Sequence, residues 1–570
     1  MGQNYWIRRS MSRRTMLGSV AAGATGLAAL TTVGCGDDDA KGADATIDLT
    51  GGSASPTAQA SKVDLTATLK AGISTDLGNL DPQSIAGVAN IPNTTTHFDT
   101  LFGTDAERNI VPRMASFKWI NNNTALELKV TPGITFHNGE EWTAETLKFN
   151  FDRALERTTY HGGSGFKSGR KTILAPSITG EVSVVDPMTV RIECKPDVGL
   201  PGNIQPALLM VPMKQIMQVG DEEFARKPVG SGPFSFVSRT ADSEYKSARF
   251  EKYFQNRESG SRPRLPYVAN LSQVIRPDDQ ARLAALEAGE IDIAWDVNPE
   301  LAKTFKGKDG FKVLYVQDGT GVHIQFNNQV EKDPETGGPN PWKDIRVRRA
   351  ANLAIDVKTI VKKLGTGQEK LSYGFSSENF GYPKEIEQKP IFGYNPQQAK
   401  ALLAEAGFGS GIRADLYIGT GRVTATSELA LAIQSYLDAV GIKVNIKSQT
   451  FSDLLPIMRD HKIPGLFMFV VNNAAEPNST MAAELKTGGV YTKSSYPELD
   501  LLFDNQSSEF DATKRKEKLG KLWNAWYDNA SWIFLYESVR AGVLRNKLDW
   551  KPETLVTSHA EYWNIKSLKG

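Results

Sequence analysis

Residues 98–154 read FDTLFGTDAERNIVPRMASFKWINNNTALELKVTPGITFHNGEEWTAETLKFNFDRA, and the order of signals in this stretch decides the fold. Phe98, Leu101 and Phe102 give an apolar start that runs into a polar turn over residues 104–108, and Pro112 restricts the residue before it. Trp119 and Ile120 precede a turn at Asn121, Asn122 and Asn123. Leu126, Leu128 and Val130 alternate with polar neighbours, the period-two pattern of a strand buried on one face. Pro132-Gly133 and Phe136-His137-Asn138-Gly139 are turn signals. Thr143 then stands as N-cap of a helix whose apolar content is Leu147, Phe149, Phe151 and Ala154. Thr146 occupies the position where a capping box carries Glu, so the cap is expected to be half formed.

Outward from this stretch, the chain has 570 residues, with 66 Lys and Arg against 65 Asp and Glu, a formal net charge of +1. That length supports two or three lobes with their own cores. The even charge balance and the lack of a long basic block argue against nucleic acid as a partner. Arg8, Arg9, Arg13 and Arg14 make a basic leader, followed over residues 17–33 by an apolar run that is short and rich in Ala and Gly for a membrane span. Ser12-Arg13-Arg14-Thr15-Met16-Leu17 has the pattern of a twin-arginine export signal, with Met16 where Phe is usual. Thr32-Val33-Gly34-Cys35 has the pattern of a lipobox, with Thr32 where Leu is preferred. Cys35 falls where the apolar run ends and Gly36-Asp37-Asp38-Asp39 begins. A lipid on Cys35 is therefore expected, holding an exported chain on the periplasmic or outer face of the cytoplasmic membrane. An uncleaved helix, or simple cleavage with loss of Cys35, is the alternative. Residues 36–63 are too polar and too rich in small residues to offset their ordering entropy, and read as a flexible tether. Cys194, on the alternating segment Val190-Arg191-Ile192-Glu193-Cys194, is then the one remaining cysteine and reads as a small core residue, with no disulfide or zinc pattern available.

Further motifs follow in order. Leu80-Asp81-Pro82 comes after a first strand over residues 65–73. Pro228-Val229-Gly230-Ser231-Gly232-Pro233-Phe234 fixes a tight path into a strand. It lacks the Gly-Lys-Ser/Thr ending of a phosphate loop and feeds no helix, so a structural crossing is expected. Residues 280–289 form a helix pattern stopped by Gly289, and Glu290-Ile291-Asp292-Ile293 then leads to Trp295-Asp296. Pro341-Trp342, Asp344, the arginines Arg346, Arg348 and Arg349, and Ala354-Ile355-Asp356 mark a helix start with Asp344 as N-cap. Residues 394–408 and 429–441 are helices closed by Gly407 and Gly441, the second followed by a strand through Ile442, Val444 and Ile446. Helix then strand, repeated, is α/β organisation.

This series resembles the family 5 solute-binding proteins of ABC importers, the oligopeptide- and dipeptide-binding group. The resemblance rests on Asp99-Thr100-Leu101, Pro112, Trp119, the turn from Gly133 to Gly139, Thr143-Ala144-Glu145-Thr146, the Pro228 to Phe234 crossing, and the later Trp295, Trp342 and Asn395-Pro396 segments. It implies an α/β fold of the periplasmic-binding-protein type, with two α/β lobes around a ligand cleft and an additional segment inserted in the first lobe. Lobe I would gather residues 64–90, 225–315 and 535–570, the inserted subdomain 91–224, and lobe II 316–534. It further implies a binding protein rather than an enzyme, acting as a monomer without a cofactor. The protein would capture a peptide or other small polar solute and hand it to an ABC permease driven by a separate ATPase.

The resemblance also places a cleft. The chain after the strand ending at Trp295 approaches the ligand, putting Trp295 in position to stack and Asp296 to pair with a cation. A core tryptophan with a solvated aspartate is the alternative. Val470, Asn472 and Asn473 lie on a second ligand-facing segment. In peptide-binding members this strand ends in a carboxylate four residues before a proline, which pairs with the peptide's free amine. Counting back from Pro477 puts Asn473 there. A charge-assisted hydrogen bond is worth roughly 1.5–3 kcal/mol and a neutral one about 1. The amine anchor is thus absent unless Asp296 or Glu476 replaces it. The ligand would be a blocked or modified peptide, an oligosaccharide or a metal or haem complex, or a peptide in a shifted register. Ser164-Gly165-Phe166-Lys167, Ser377-Glu378-Asn379 and Lys486-Thr487-Gly488 occur in the order of a penicillin-interacting serine hydrolase. Such short patterns arise by chance in a chain this long, and Ser164 sits in a Gly-rich loop. The six histidines show no metal-ligand spacing.

Overall fold

The computed structural model describes residues 63–550 and 562–569, except 77, 85–93, 106–108, 159–165, 257–265, 334–336, 378, 390–392, 421–425, 460–462, 464 and 473–475. The expected export signal, Cys35 and all but the last residue of the expected tether lie outside the described residues.

The strands are, in chain order, β1 (Thr68–Ile73), β2 (Phe102–Thr104), β3 (Ile110–Pro112), β4 (Ala115–Ile120), β5 (Ala125–Val130), β6 (Val182–Asp186), β7 (Thr189–Glu193), β8 (Phe234–Thr240), β9 (Glu244–Arg249), β10 (Asn270–Ile275), β11 (Ile293–Val297), β12 (Phe311–Phe326), β13 (Lys370–Leu371), β14 (Ile412–Thr420), β15 (Ile442–Thr450), β16 (Leu466–Asn472) and β17 (Trp532–Arg545). The helices used below are α1 (Ala144–Ala154), α2 (Leu200–Ala207), α3 (Asp279–Ala288), α4 (Ile345–Leu353), α5 (Pro396–Glu405), α6 (Thr426–Ala439), α7 (Asn478–Glu484), α8 (Pro497–Ser507) and α9 (Ala512–Asp528).

The stretch 98–154 builds a small antiparallel sheet of order β4-β5-β7-β6 with α1 packed on it. Leu126, Leu128 and Val130 of β5 point into one core with Leu147 and Phe151 of α1 and Leu200, Ile204 and Ala207 of α2. Asn121, Asn122 and Asn123 all have positive φ (51°, 52° and 65°), a conformation asparagine tolerates better than most residues. Thr143 Oγ1 accepts from the Thr146 N–H at 3.3 Å, while the Thr146 hydroxyl lies 3.3 Å from that of Thr143, so the capping box is half formed.

The motif residues are anchors. Asp99 is buried with Arg113 Nε at 2.7 Å and accepts from the Tyr253 hydroxyl at 2.8 Å. Asp81 is ion-paired with the buried Arg153, which also reaches Asp221 at 2.8 Å and lies 3.6 Å above the Phe166 ring. A charge this deep holds only because it is paired and hydrogen-bonded. The Gly230-Ser231-Gly232 crossing threads past the His97 main chain. A Cβ on Gly230 would collide with the His97 carbonyl, and one on Gly232 would come within 2.6 Å of the same carbonyl carbon. His137 brackets the loop, accepting from the Gly230 N–H through Nδ1 at 3.2 Å, with Nε2 3.0 Å from the Gly232 carbonyl.

The main sheet has eleven strands, in the order β15-β14-β16-β12-β17-β11-β1-β10-β9-β8, with β13 on β17. Strand β17, near its middle, carries apolar residues on both faces. In β17, Ile533 and Leu535 enter a core with Val347 of α4, Leu403 of α5 and Ile433 of α6. Trp532 and Phe534 enter another with Phe503 of α8 and Trp523 and Trp526 of α9. Asp344 caps α4 through the Arg346 N–H at 2.8 Å, and Arg348 donates to the carbonyls of Trp342 (2.9 Å) and Asn529 (3.0 Å), so these arginines fasten the helix rather than form a cationic surface. Among the described residues no helix is long and apolar enough to cross a membrane.

Two strands join the halves of this sheet. β12 and β17 pair antiparallel from Phe311↔Arg545 to Gln325↔Trp532. β11 flanks the pair only at Ala541–Leu544 of β17, and β16 flanks it only from Thr320 to Phe326 of β12. Between these flanks the β12–β17 register shifts, from Gln317↔Val539 to Gly321↔Glu537.

Candidate functional site at the neck of the sheet

The register break sets the level of the site. Thr320 pairs with Asn472 at the end of β16, and Gly321 pairs with both Val471 and Glu537. Glu537 is buried and accepts from Ser377 twice, from its N–H at 2.7 Å and its hydroxyl at 2.9 Å. β14 pairs with β16 only from Leu466 to Met468. Among the described residues, the last stretch of β16 is therefore laddered on its β12 side alone.

β11 carries a bulge at the same neck. Its register with β17 shifts between Trp295 and Val297, leaving Asp296 at φ 54°. Bulges re-aim a side chain and are often found near functional sites. The Asp296 carbonyl accepts from Arg282 Nη2 at 2.9 Å, and its carboxylate turns outward to Arg540 Nη1 at 2.7 Å with 45% of the side chain exposed.

Trp295 goes the other way. It is 6% exposed, lies edge-on to Trp550 with centroids 4.9 Å apart, and covers Gly542, where a Cβ would come within 2.5 Å of its ring. The ring is part of a core with Ile293 and Leu544, and its Nε1 is buried without a hydrogen-bond partner. Burial on that face is decided by the C-terminal segment, which the local pattern around residue 295 does not reveal.

Val470 turns its side chain into a core with Val322 and Met468. Asn473 lies outside the described residues, as does the side chain of Asn472. Glu476 is buried and clasped by Arg515, Nη1 to Oε2 at 2.8 Å and Nη2 to Oε1 at 2.5 Å. Arg515, Arg540 and Glu537 were not singled out from sequence. Their partners are distant in the chain, and no local pattern marks them. Of the serine-hydrolase triplets, Ser164 lies outside the described residues, Ser377 is bound to Glu537 and Lys486 is ion-paired with Asp504. Cys194 is buried, and burial pushes its thiol up to about 12. Among the described residues no group of three or more His, Cys, Asp or Glu is placed to hold a metal ion.

A mixed sheet of two halves joined by two crossing strands, with an antiparallel subdomain set into the chain of the first half, is the two-lobed α/β fold of periplasmic-type binding proteins. The chain belongs to the bacterial extracellular solute-binding proteins, family 5, whose model matches residues 109–492. It is similar to the oligopeptide-binding protein AppA of Bacillus subtilis, 25% identical over 464 residues, covering 77% of this chain and 80% of that protein. It is also similar to heme-binding protein A of Haemophilus influenzae, 26% identical over 462 residues, covering 75% and 79%. The solved structure of HbpA2 from Haemophilus parasuis superposes with a TM-score of 0.75 at 19% identity, covering 88% of this chain and all of that one.

Proposed function

We propose that this chain is the solute-capturing component of an ABC importer and that its cargo is a peptide or peptide-like solute without a free N-terminal amine. The observation that carries the peptide part is the end of β16. Among the described residues this strand is laddered on one side only from Phe469 to Asn472, and an extended main chain adds readily to such an edge. The oligopeptide-binding name of the Bacillus relative supports the same reading. The missing amine follows from the carboxylates. Asn473 stands where a carboxylate would pair with an ammonium. Of the two replacements, Glu476 is bound by Arg515 and Asp296 by Arg540. A desolvated ammonium would find its counter-charges already engaged.

Lobe I would comprise residues 64–90, 225–315 and 535–570, the inserted subdomain 91–224 and lobe II 316–534, with the β12–β17 register break as hinge. The solute bridges the lobes and favours the closed form through its greater affinity for it. The closed monomer then docks on a permease served by a separate ATPase, held near the membrane by a lipid on Cys35. The second reading, a metal or haem complex as cargo, is favoured by the name of the Haemophilus influenzae relative.

The test exposes the purified chain to a tryptic digest of casein, half of it N-acetylated, and reads retained species by native mass spectrometry. Retention of acetylated peptides over their free-amine counterparts is expected. Preference for free amines, or retention of neither, overturns the reading.

A further inference from the structure

The face of α2 turned away from its own core meets the second half of the molecule. Leu200, Ile204 and Ala207 hold α2 against the small sheet, whereas Gly199 and Gly202 abut residues that follow β16. A Cβ on Gly199 would lie 2.5 Å from Asn478 Cβ, and one on Gly202 would overlap the Glu476 side chain. Neither glycine has positive φ, so space rather than backbone conformation demands them.

Polar contacts close this junction. Asn478 Nδ2 donates to Asp197 Oδ1 at 2.7 Å, and the Val198 N–H donates to the Ser507 carbonyl at 3.2 Å. Asn478 Oδ1 accepts from Gln506 Nε2 at 2.6 Å and from the Ser507 hydroxyl at 2.9 Å. Nearby, Trp119 meets Phe510 edge-on with centroids 5.0 Å apart.

One polar atom on this helix is left over. Asn203 is 5% exposed, and its carboxamide oxygen is buried without a hydrogen-bond partner. Buried polar atoms are nearly always satisfied, so an orphan of this kind marks a missing partner. Asn203 follows Gly202, which abuts Glu476, four residues beyond the end of β16 at Asn472.

We propose that α2 closes over the solute by docking its glycine face on residues 476–478, and that Asn203 Oδ1 then accepts a hydrogen bond from an N–H or O–H of the solute at the end of β16. The contact rests on the peptide-like reading above, whereas the docking does not. A main-chain amide of a solute added to the β16 edge is the donor class that fits.

Two measurements on the full chain separate these parts. Hydrogen exchange without any solute reports the docking: Gly202→Val raises exchange at residues 476 and 478 at least ten-fold, and unchanged exchange overturns it. Titration with the N-acetylated casein peptide retained most strongly by the wild type reports the contact. Asn203→Leu weakens its binding at least ten-fold at unchanged exchange around residues 476–478. Asn203→Asp, which keeps an acceptor oxygen, binds within three-fold of the wild type. Equal binding by Asn203→Leu means that water alone meets this oxygen and overturns the contact. A wild type that retains nothing from either half of the digest overturns the peptide reading and the contact with it, while the exchange measurement still decides the docking.

Discussion

Arg515 grips Glu476 through both terminal nitrogens, and the two side chains are only 5% and 7% exposed. Breaking one partner of such a pair strands a buried charge. Arg515→Met is therefore expected to lower stability by about 3–5 kcal/mol. The measurement is a urea transition with unchanged slope and a lower midpoint. The double variant Arg515→Met with Glu476→Gln should recover at least half of the loss. A single-variant loss below about 1 kcal/mol would place the pair among ordinary surface ion pairs instead.

On the peptide reading, Asn473→Asp supplies the carboxylate that a free peptide amine would pair with. The variant is expected to gain affinity for unmodified casein peptides by about ten-fold or more, since a charge-assisted bond exceeds a neutral one by roughly 1–2 kcal/mol. Calorimetric titration reads the gain. No change in the ratio of free to acetylated peptide affinity counts against the amine argument.

Gly542 lies under the Trp295 ring, with room for no side chain. Gly542→Val must push the indole from its place against Trp550, which overpacks the core and should cost about 1–3 kcal/mol or more. Tryptophan emission shifting to the red in the folded state, together with a lowered melting temperature, is the expected signature. An unshifted spectrum at full stability would show that Trp295 is free to move.

His137 binds the crossing loop as a neutral ring, its Nδ1 accepting from Gly230. Burial holds its pKa at about 4, below the ordinary 6.5. The unfolded chain thus takes up a proton near pH 6.5 that the folded ring refuses until about pH 4. The stabilising effect is complete above pH 6.5 and is lost as pH falls through that window. Stability at pH 5 should lie about 1–2 kcal/mol below that at pH 7 on account of this group. His137→Gln should flatten that part of the profile. An identical slope in the variant assigns the acid sensitivity elsewhere.

The local grammar of the chain was readable. Alternation identified β5, Thr143 and Asp344 identified two helix starts, and the glycines at 230 and 232 announced a close crossing. The class of protein followed from the order of these signals. The neck was less readable, because its chemistry is decided by partners far apart in sequence. Trp295 reads equally as a core or a stacking residue, and Trp550 and Gly542, which pack on it, lie far along the chain. Asp296 and Glu476 read as candidate counter-charges, and their partners Arg540 and Arg515 are distant in the chain. Asn203 carried no signal at all. It sits among apolar and small residues in a short helix, and only the burial of its oxygen without a partner draws notice.

The β12–β17 ladder has one more consequence. The two halves of the sheet are linked by paired strands running in opposite directions, so neither half can slide without the other strand resisting. On the hinge proposed above, the movement left to the halves would be torsion about the ladder, at the register shift between Gln317 and Gly321. A molecule with that hinge would be geared like a twisting ribbon rather than a door on a pin. Each closing movement should swing the rim near Gly202 through a long arc while the residues around Glu537 barely move.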